Sequence, residues 1–397
     1  MANQNLGDAK RAKDDEFYTQ FHDIEKEMNA YLEYDENVFK GKTILLPCDD
    51  PEWSNFTKYF AQNFERLGLK KLVSTSYAPK SKPQDLHLQP TLFEIESPQY
   101  DEDKSVQNGK IFTLTEDVNG DNRVNVDDLE WTYLDGTGDF RSAEIMALRD
   151  EADIVITNPP FSLFREFLAW IVEADKKFTI IGNMNAITYK EVFPLLMNNK
   201  VWLGASIHSG DREFQVPPAS VTRSNSLRVD EQGNKFIRVP GVRWFTNIEH
   251  GRRHEPLPLM SEADNFKFSK HQDVKGIGYR KYDNYNAIEV PHTDAIPSDY
   301  AGVMGVPISF LHKYSPEQFE ILGITKTWND DSGLKTRNYS TQTQVSTDGK
   351  ESQVGKLNDG AAIVVTETPS STYYKVDGKS LIQVYARVLI RHRKAAK

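Results

Sequence analysis

Cysteine and long apolar runs are scarce in this sequence of 397 residues. Its one cysteine, Cys48, excludes a disulfide framework and a cysteine-rich zinc site. Apolar runs such as 154–156 and 388–390 fall far short of the roughly 20 residues that a membrane-spanning helix needs. The N-terminal residues contain no apolar stretch like that of a signal peptide. These absences predict a soluble, cytoplasmic protein.

Several signatures of enzyme chemistry are also missing. The histidines show no metal-ligand spacing such as H-E-x-x-H, no G-x-S-x-G turn supports a serine hydrolase, and no phosphate-binding P-loop occurs. We therefore expect no metal in the catalytic site.

The charge is distributed unevenly along the chain. The net charge is −10, but residues 1–200 contribute −14, residues 201–300 contribute 0 and residues 301–397 contribute +4. This asymmetry indicates different partners for the two halves. The alternative is an uneven scatter of solvated surface charge.

Strand-like and helix-like segments alternate through the first half of the chain. Strands are predicted at 43–46, 71–74, 153–157, 178–182 and 201–204, and helices at 55–67, 163–172 and 189–197. The alternation predicts an α/β fold with a mostly parallel sheet and helices on both faces. A polar, acidic insertion at about 78–135 is too long for a plain loop. Long polar loops are predicted at 327–360 and a closing strand at 383–390.

The most informative motif is Asn158-Pro159-Pro160-Phe161, directly after a predicted strand. In open α/β sheets, ligands bind at the carboxyl ends of the strands. The two prolines fix the backbone and remove two N–H donors, so that the carbonyls of Asn158 and Pro159 can point outward as acceptors. Such acceptors beside the flat ring of Phe161 suit an amino group on a planar base, such as adenine N6. The alternative is a strand-terminating turn with an aromatic plug.

Asn-Pro-Pro-Phe in this place resembles the catalytic motif of amino-group methyltransferases that use S-adenosylmethionine. Further segments resemble the EcoRI-type adenine-specific DNA methyltransferases: Asp15–Gln20, Pro47–Pro51, Gly138–Ser142, Asn158–Arg165, Pro307–Phe310, Glu317–Glu320 and Tyr385–Arg387. The resemblance touches most of the chain and is weakest at 78–135 and 327–379. It implies a Rossmann-like methyltransferase sheet with helices on both faces, S-adenosyl-L-methionine as cofactor and a C-terminal target-recognition lobe.

The resemblance also implies roles for individual residues. It makes Asn158, Pro159, Pro160 and Phe161 catalytic, with Asn158 also touching the cofactor. The other cofactor-binding residues that it implies are Phe17, Tyr18 and Thr19 at the methionine end, Pro47, Cys48, Asp49 and Asp50 at the methyl-donor turn, and Asp139 and Phe140 at the adenine. The resemblance implies that one acid of the turn pairs with the cofactor's α-amino group. Because the usual form has glycine where Asp49 and Asp50 stand here, the choice between these two acids stays open. Without the resemblance, the segment 17–19 would be interpreted as an ordinary helix start. No acid follows the second predicted strand, so the residue that holds the cofactor's ribose is not assigned.

The order of the motifs places the catalytic domain at 1–210, including the acidic insertion, and the target-recognition lobe at 211–397. The basic residues expected to contact DNA are Arg223, Arg228, Lys235, Arg238, Arg243, Arg252 and Arg253. Arginines among aromatic and polar residues suit phosphate and base-edge contacts. For any one of them, a solvated surface position is the alternative.

Residues 117–128 form a second motif, with oxygen-bearing side chains at the spacing of a calcium-binding EF-hand loop. Asn122 stands where the loop normally has glycine, and Asp128 where it has glutamate. A structural calcium ion and a plain polar turn are the two interpretations. Neither gives this loop a catalytic role.

Taken together, these features favour a site-specific methyltransferase that moves a methyl group from S-adenosyl-L-methionine to adenine N6 in duplex DNA. Direct in-line transfer requires the base to leave the stack, because the amino group cannot be reached inside the duplex. We expect a monomer that binds duplex DNA, with a restriction endonuclease acting at the same site as a further candidate partner. The alternatives are a methyltransferase of protein glutamine amides and a DNA-binding protein with an inactive methyltransferase fold.

Overall fold

A computed structural model of the chain describes residues 18–50, 54–78, 95, 97–216 and 227–393. The chain forms two compact units. The first comprises the described residues up to 186 together with 201–251, and the second comprises 187–200 together with the described residues from 252 onward. No helix within these described ranges is long and apolar enough to cross a membrane.

The first unit contains eleven strands among its described residues. In chain order they are β1 (Thr43–Leu46), β2 (Lys71–Thr75), β3 (Lys110–Leu114), β4 (Glu130–Tyr133), β5 (Ile154–Thr157), β6 (Lys177–Asn183), β7 (Trp202–Leu203), β8 (Asp211–Val216), β9 (Leu227–Val229), β10 (Lys235–Pro240) and β11 (Val242–Thr246). Eight of them form one sheet in the order β4-β3-β2-β1-β5-β6-β11-β7, and β8, β10 and β9 form a separate antiparallel sheet.

The centre of the large sheet agrees with the sequence prediction, whereas its edges do not. Strands β2, β1, β5 and β6 are parallel, and β3, β4, β11 and β7 join antiparallel. The expectation of a mostly parallel sheet is therefore wrong. Two of the antiparallel strands, β3 and β4, lie in the acidic insertion. Strands β3 and β4 follow one another along the chain and pair directly, which antiparallel strands can do without the helical crossover that parallel neighbours require.

Helices connect and cover the strands. Their bounds are α1 (Phe21–Tyr34), α2 (Asn55–Gln62), α3 (Phe64–Leu67), α4 (Glu102–Gln107), α5 (Ala143–Glu151) and α6 (Phe164–Glu173) in the first unit, and α7 (Phe193–Met197) and α8 (Glu262–Phe268) in the second. Helix α2 begins after Ser54, whose Oγ accepts a hydrogen bond from the Phe56 N–H at 3.1 Å. Helix α3 ends at Gly68, which adopts a left-handed φ of 62°.

The core of the first unit surrounds the central strands. All four residues of β1 and all four of β5 are buried, as expected of parallel strands covered on both faces. Helix α6 buries Phe164, Phe167 and Ile171, whose spacing places them on one side of the helix. This packing fixes the carboxyl ends of β1 and β5, where the predicted site residues lie.

The second unit contains two further sheets. Its strands are β12 (Ile288–Glu289), β13 (Met304–Pro307), β14 (Phe319–Ile324), β15 (Thr343–Val345), β16 (Glu351–Gln353), β17 (Ala362–Val365), β18 (Tyr373–Val376), β19 (Lys379–Gln383) and β20 (Arg387–His392). They are ordered β12-β13-β20-β14 and β16-β15-β18-β19-β17. A partly buried ion pair, with Arg387 Nη2 2.7 Å from Glu289 Oε1, connects β20 to β12.

Several sequence predictions hold only in part. The predicted helix at 189–197 is helical over Phe193–Met197, and the predicted strand at 201–204 is reduced to Trp202–Leu203. The predicted closing strand at 383–390 is interrupted, because β19 ends at Gln383 and β20 begins at Arg387. The polar stretch 327–360, expected to be loops, also contains β15 and β16.

Candidate active site

The turn after β1 is held by its two neighbouring strands. The Asp49 N–H donates to the Thr75 carbonyl of β2 at 2.8 Å, and Thr157 Oγ1 of β5 donates to the Pro47 carbonyl at 2.6 Å. Cys48 adopts a left-handed φ of 65°, a conformation that costs a non-glycine residue about 1 kcal/mol or more. The left-handed residue of this turn is therefore Cys48, directly before the two acids that stand where the usual form has glycine.

Of the two acids in this turn, Asp49 is the buried one. Its side chain is 5% exposed, its Oδ1 accepts from Ser54 Oγ at 2.7 Å, and its Oδ2 is buried with no hydrogen-bond partner. Burial raises the pKa of Asp49 to about 7. Asp50 is only partly buried, and its backbone carbonyl accepts from the Ser54 N–H at 2.6 Å. Asp49 is therefore the buried acid of this turn, and the neighbouring charge of Asp50 raises its pKa further.

The N-terminal segment lies against the start of helix α2 and against β8. Phe17 is outside the described residues. Tyr18 pairs with Gln215 of β8 through two backbone hydrogen bonds of 2.9 and 3.1 Å. Thr19 is 3% exposed, its carbonyl accepts from Asn55 Nδ2 at 2.7 Å, and its buried Oγ1 has no hydrogen-bond partner. Because Asn55 holds Thr19 and the adjacent Ser54 holds Asp49, both unsatisfied oxygens lie at the start of the same helix.

The segment Asp139-Phe140 lies beyond the carboxyl end of β2. A Cβ at Gly138 would lie 2.3 Å from the Ser76 carbonyl oxygen, and the φ of Gly138 is 82°, so only glycine allows this close approach. Asp139 accepts from Tyr77 Oη at 3.2 Å and from Arg141 Nη2 at 2.6 Å, and the Arg141 guanidinium lowers its pKa. Its carboxylate is thus already engaged by two side chains.

Phe140 lies in the core of the first unit. It is 3% exposed, and its ring centroid is 5.0 Å from that of Phe167 and 5.6 Å from that of Trp170, both on helix α6. These contacts dock the segment around Asp139 onto α6. A direct contact of the Phe140 ring with a bound adenine stays a prediction.

The motif Asn158-Pro159-Pro160-Phe161 follows β5 directly. Pro159 is buried, Asn158 and Pro160 are partly buried, and a short 3-10 helix over Phe161–Leu163 leads into α6. The Leu163 N–H donates to the Pro160 carbonyl at 2.9 Å. Phe161 is partly buried and meets Phe214 of β8 edge-on, with centroids 6.4 Å apart and planes at 88°. The motif is therefore a braced turn whose aromatic ring retains exposed surface.

These groups meet at one edge of the sheet. Strands β1 and β5 are parallel neighbours, so their carboxyl ends adjoin, and the bond from Thr157 to the Pro47 carbonyl joins the two turns directly. Strand β8 connects them to the N-terminal segment, because consecutive β8 residues contact Phe161 and Tyr18. The result is a site with a buried carboxylate on one side and an acceptor-rich turn with an aromatic ring on the other.

Sequence reasoning missed the side chains that support this site. Ser54, Ser74 and Thr157 hold the turn after β1, Ser74 by donating its hydroxyl hydrogen to the Asp49 carbonyl. Phe214 supports Phe161 from a strand about fifty residues later. Hydroxyl residues next to strand ends are a weak signal, and no spacing in the sequence connects Phe214 to the motif.

The basic residues expected to contact DNA lie in different surroundings. Arg223 is outside the described residues, whereas Arg243 and Arg253 are buried at 5% and 7% exposure. Arg243 donates to the His208 carbonyl at 3.0 Å, and Arg253 donates to Asn199 Oδ1 at 2.9 Å. These two guanidiniums therefore offer little surface to a phosphate.

The remaining basic residues are more accessible. Arg228 forms a bidentate pair with Glu213 and lies 4.5 Å above the centroid of the Phe236 ring. Arg238 is exposed, and Lys235 and Arg252 are partly buried. Of the described basic residues, Arg238 therefore offers the cleanest test of DNA contact.

The loop at 117–128 uses its carboxylates to hold its own backbone. Asp117 accepts from the N–H groups of Gly120 and Asn122 at 2.6 and 2.7 Å, and Asp128 accepts from Val118 and Asn125 at 3.0 and 2.9 Å. Asn122 takes the left-handed conformation, with a φ of 63°. Within the described ranges, no group of three or more acidic, histidine or cysteine side chains is arranged to hold a metal ion.

Comparison with known proteins identifies relatives across most of the chain. The family model described as "Adenine-specific methyltransferase EcoRI" matches residues 5–393. The type II methyltransferase M.EcoRI of Escherichia coli is 43% identical over 82% of this chain and 90% of its own. The type II methyltransferase M.MpnI of Mycoplasma pneumoniae is 34% identical over 79% of this chain and 83% of its own. M.MgeORF184P of Mycoplasma genitalium is 32% identical over 79% and 84%. No solved structure matches significantly.

Proposed function

We propose, from the premise that this chain belongs to the EcoRI adenine-specific methyltransferase family, that its active site lies where the carboxyl ends of β1 and β5 meet. The chain is a site-specific adenine DNA methyltransferase, and its methyl donor is S-adenosyl-L-methionine. The observation that supports this location is the hydrogen bond from Thr157 Oγ1 to the Pro47 carbonyl. It joins the turn of Asp49 to the turn of Asn158.

The residues at this edge fit the methionine end of S-adenosyl-L-methionine. The cofactor presents an α-ammonium group, and Asp49 Oδ2 is a buried carboxylate oxygen without a partner. A cation placed there would stabilise the ionised carboxylate, which burial destabilises. Thr19 Oγ1 supplies a second unsatisfied group. We therefore assign the α-ammonium contact to Asp49 in preference to Asp50, with Thr19 beside it.

Asp139 is the proposed partner of the cofactor's adenine. Tyr77 and Arg141 hold its carboxylate in one orientation, and Gly138 lets its segment approach the end of β2. Asp139 already accepts four hydrogen bonds, from Tyr77 Oη and from the Nε, Nη2 and backbone N–H of Arg141, which fill the acceptor sites of its carboxylate. One of these contacts must therefore rearrange or be shared when an amino group binds. The parallel centre of the sheet with these ligand positions supports the Rossmann-like methyltransferase arrangement.

Asn158 and Phe161 would receive the target base. S-adenosyl-L-methionine, when bound, supplies an electrophilic methyl group on a sulfonium. Proline supplies no N–H at positions 159 and 160, and the Asn158 and Pro159 carbonyls would accept hydrogen bonds from the adenine amino group and hold it with its lone pair available. Phe161 would stack on the base once it has left the duplex, as an aromatic ring commonly does. Asn158 and Pro159 thus orient the nucleophile and Phe161 holds its ring.

The charge distribution indicates which part of the chain binds DNA. Charge supports a division of labour in which residues beyond 210 make most phosphate contacts, since residues 1–200 sum to −14. The functional boundary at 210 differs from the limit of the first compact unit, which extends to 251 because β11 pairs with β6. We further propose a cytoplasmic monomer, with a restriction endonuclease of the same specificity as a candidate partner.

Mapping N6-methyladenine in DNA from cells that express the chain tests the proposed function. We expect methylation at one short sequence, absent from cells that express the Asn158→Ala variant at the same level. Methylation confined to protein glutamine amides would instead support the alternative substrate. Unmethylated DNA, with the protein soluble and able to bind S-adenosyl-L-methionine, would contradict the proposal.

A further inference from the structure

Strand β6 and helix α6 approach each other unusually closely at Gly182. A Cβ built on Gly182 would lie 2.3 Å from Phe164 Cε2, 2.8 Å from Cζ and 2.9 Å from Cδ2. The three nearest atoms all belong to this one ring. The ring of Phe164 therefore occupies the space in which any other residue at position 182 would place its side chain.

The Phe164 ring cannot move away into solvent. It is 3% exposed, and its centroid lies 5.0 Å from that of Phe245 on the neighbouring strand β11. Phe245 is itself fully buried, and it is paired opposite Ile180 of β6. The ring thus lies between the glycine and a second aromatic side chain, in a closely packed interior that transmits displacement.

Phe164 is the first residue of α6 and follows the catalytic turn at once. Only Phe161–Leu163, which form a 3-10 turn, separate it from Pro160. The prolines fix two backbone φ angles, so few soft torsions remain to absorb a shift between Phe164 and Asn158. On the other side, the turn is anchored by β5, which pairs in parallel with β6 from Ile154 to Thr157.

We propose that Gly182 and Phe164 are positioning residues for methyl transfer: the missing side chain of Gly182 leaves room for the Phe164 ring, and the seated ring sets where Asn158 and Phe161 lie. This inference rests on the proposed function of that turn. Neither residue touches the reacting atoms. Their effect reaches the chemistry through the short rigid connection between α6 and β5.

The size of the effect follows from the distances. Ordinary contact of a Cβ begins at 3.4 Å, and the Phe164 ring lies at 2.3 Å from the added atom, so the ring must shift by about 1 Å. A misplacement of about 1 Å at a reacting group lowers the rate by roughly a hundredfold. The Asp49 turn belongs to β1, and the Asp139 segment contacts α6 through Phe167 and Trp170, further along the helix than Phe164, so cofactor binding should change little.

The experiment measures single-turnover methylation of duplex DNA at saturating S-adenosyl-L-methionine, together with the Kd of the cofactor and the melting temperature. For Gly182→Ala we expect a rate about a hundredfold below wild type, with the cofactor Kd within threefold. Gly355→Ala is the matched control, because Gly355 has a negative φ of −113° and no atom within 4 Å of a built Cβ. Its rate should stay within twofold of wild type.

A second substitution distinguishes a clash with the Phe164 ring from a general loss of stability. Phe164→Val removes all three ring atoms that the new Cβ would meet, so adding Gly182→Ala to it should lower the rate by less than threefold. A folded Gly182→Ala enzyme with a wild-type rate would overturn the inference. So would a double variant that is tenfold slower than Phe164→Val, or that fails to fold when Phe164→Val folds. A wild-type enzyme that methylates no adenine would instead refute the proposed function.

Discussion

Replacing Asp49 with asparagine separates stability from cofactor binding. In the folded chain, burial raises the pKa of Asp49 from 3.8 to about 7, chiefly because its carboxylate loses water. Between these two pH values the folded state holds more protons than the unfolded state, so the free energy of unfolding falls as pH rises from about 4 to about 7. At about 1.36 kcal/mol per pKa unit, a shift of about 3 units makes the ionised carboxylate cost about 4 kcal/mol above pH 7.

Asp49→Asn removes that cost but introduces a buried amide. Its nitrogen would take the place of an oxygen that has no partner, and an unsatisfied buried donor costs about 1–3 kcal/mol. We therefore expect a net gain of about 2 kcal/mol at pH 8 without cofactor. For a unit of this size, the melting temperature should rise by roughly 4–8 °C. At pH 4 to 5 the folded wild-type carboxyl is protonated, so this gain should be lost and the variant should be no more stable than wild type.

Cofactor binding should change in the opposite direction. The α-ammonium of S-adenosyl-L-methionine would stabilise ionised Asp49, so wild-type affinity should fall by up to tenfold per pH unit below about pH 7. The asparagine variant lacks the charge, and we expect its affinity to be at least a hundredfold weaker at pH 8 and nearly independent of pH. Losing one partner of a buried charge pair commonly costs about 3–5 kcal/mol.

Thermal melting and calorimetric titration at pH 5 and pH 8 measure both effects. Asp50→Asn is the matched control, because Asp50 is the adjacent acid and is only partly buried. It should keep cofactor affinity within about fivefold. The reasoning fails if Asp49→Asn binds the cofactor as tightly as wild type at pH 8, or if wild-type affinity is flat between pH 5 and pH 8.

Three further changes test other parts of the site. Asn158→Ala should lower the methyl-transfer rate by roughly 10²–10³ while cofactor and DNA affinities stay within a few fold, measured by single-turnover kinetics and titration. Phe161→Ala should weaken stacking on the displaced base by about 1–3 kcal/mol, seen as a changed fluorescence of 2-aminopurine at the target position, whereas Phe161→Tyr should behave like wild type. Arg238→Ala should reduce the slope of log affinity against log salt by about 0.9, and an unchanged slope would place Arg238 outside the DNA interface.

The centre of the fold could be predicted because local sequence and tertiary environment agree there. The runs at 43–46 and 154–157 are short, apolar and followed by turn residues, as buried parallel strands require. The edges could not be predicted in the same way. Strands β3 and β4 lie in a polar insertion, and their pairing depends on long-range contacts with β2 that leave no local pattern.

The candidate site likewise contains residues that the local sequence identifies and residues that only tertiary contacts reveal. Asn158–Phe161 was identifiable because two prolines after an apolar strand restrict the backbone by themselves. The choice between Asp49 and Asp50 was not, since it depends on which carboxylate the start of α2 buries. The basic residues show the same limit. Arg243 and Arg253 look like surface charges in the sequence, and only tertiary packing reveals that they are buried.

Transfer of labelled methyl to DNA tests the central claim most directly. Purified protein is incubated with methyl-labelled S-adenosyl-L-methionine and duplex DNA, and the DNA is then digested to nucleosides. The account predicts that the label appears in N6-methyldeoxyadenosine alone, and that Asn158→Ala reduces it by at least a hundredfold. Label in another nucleoside, or an undiminished yield from the Asn158→Ala enzyme, would contradict it.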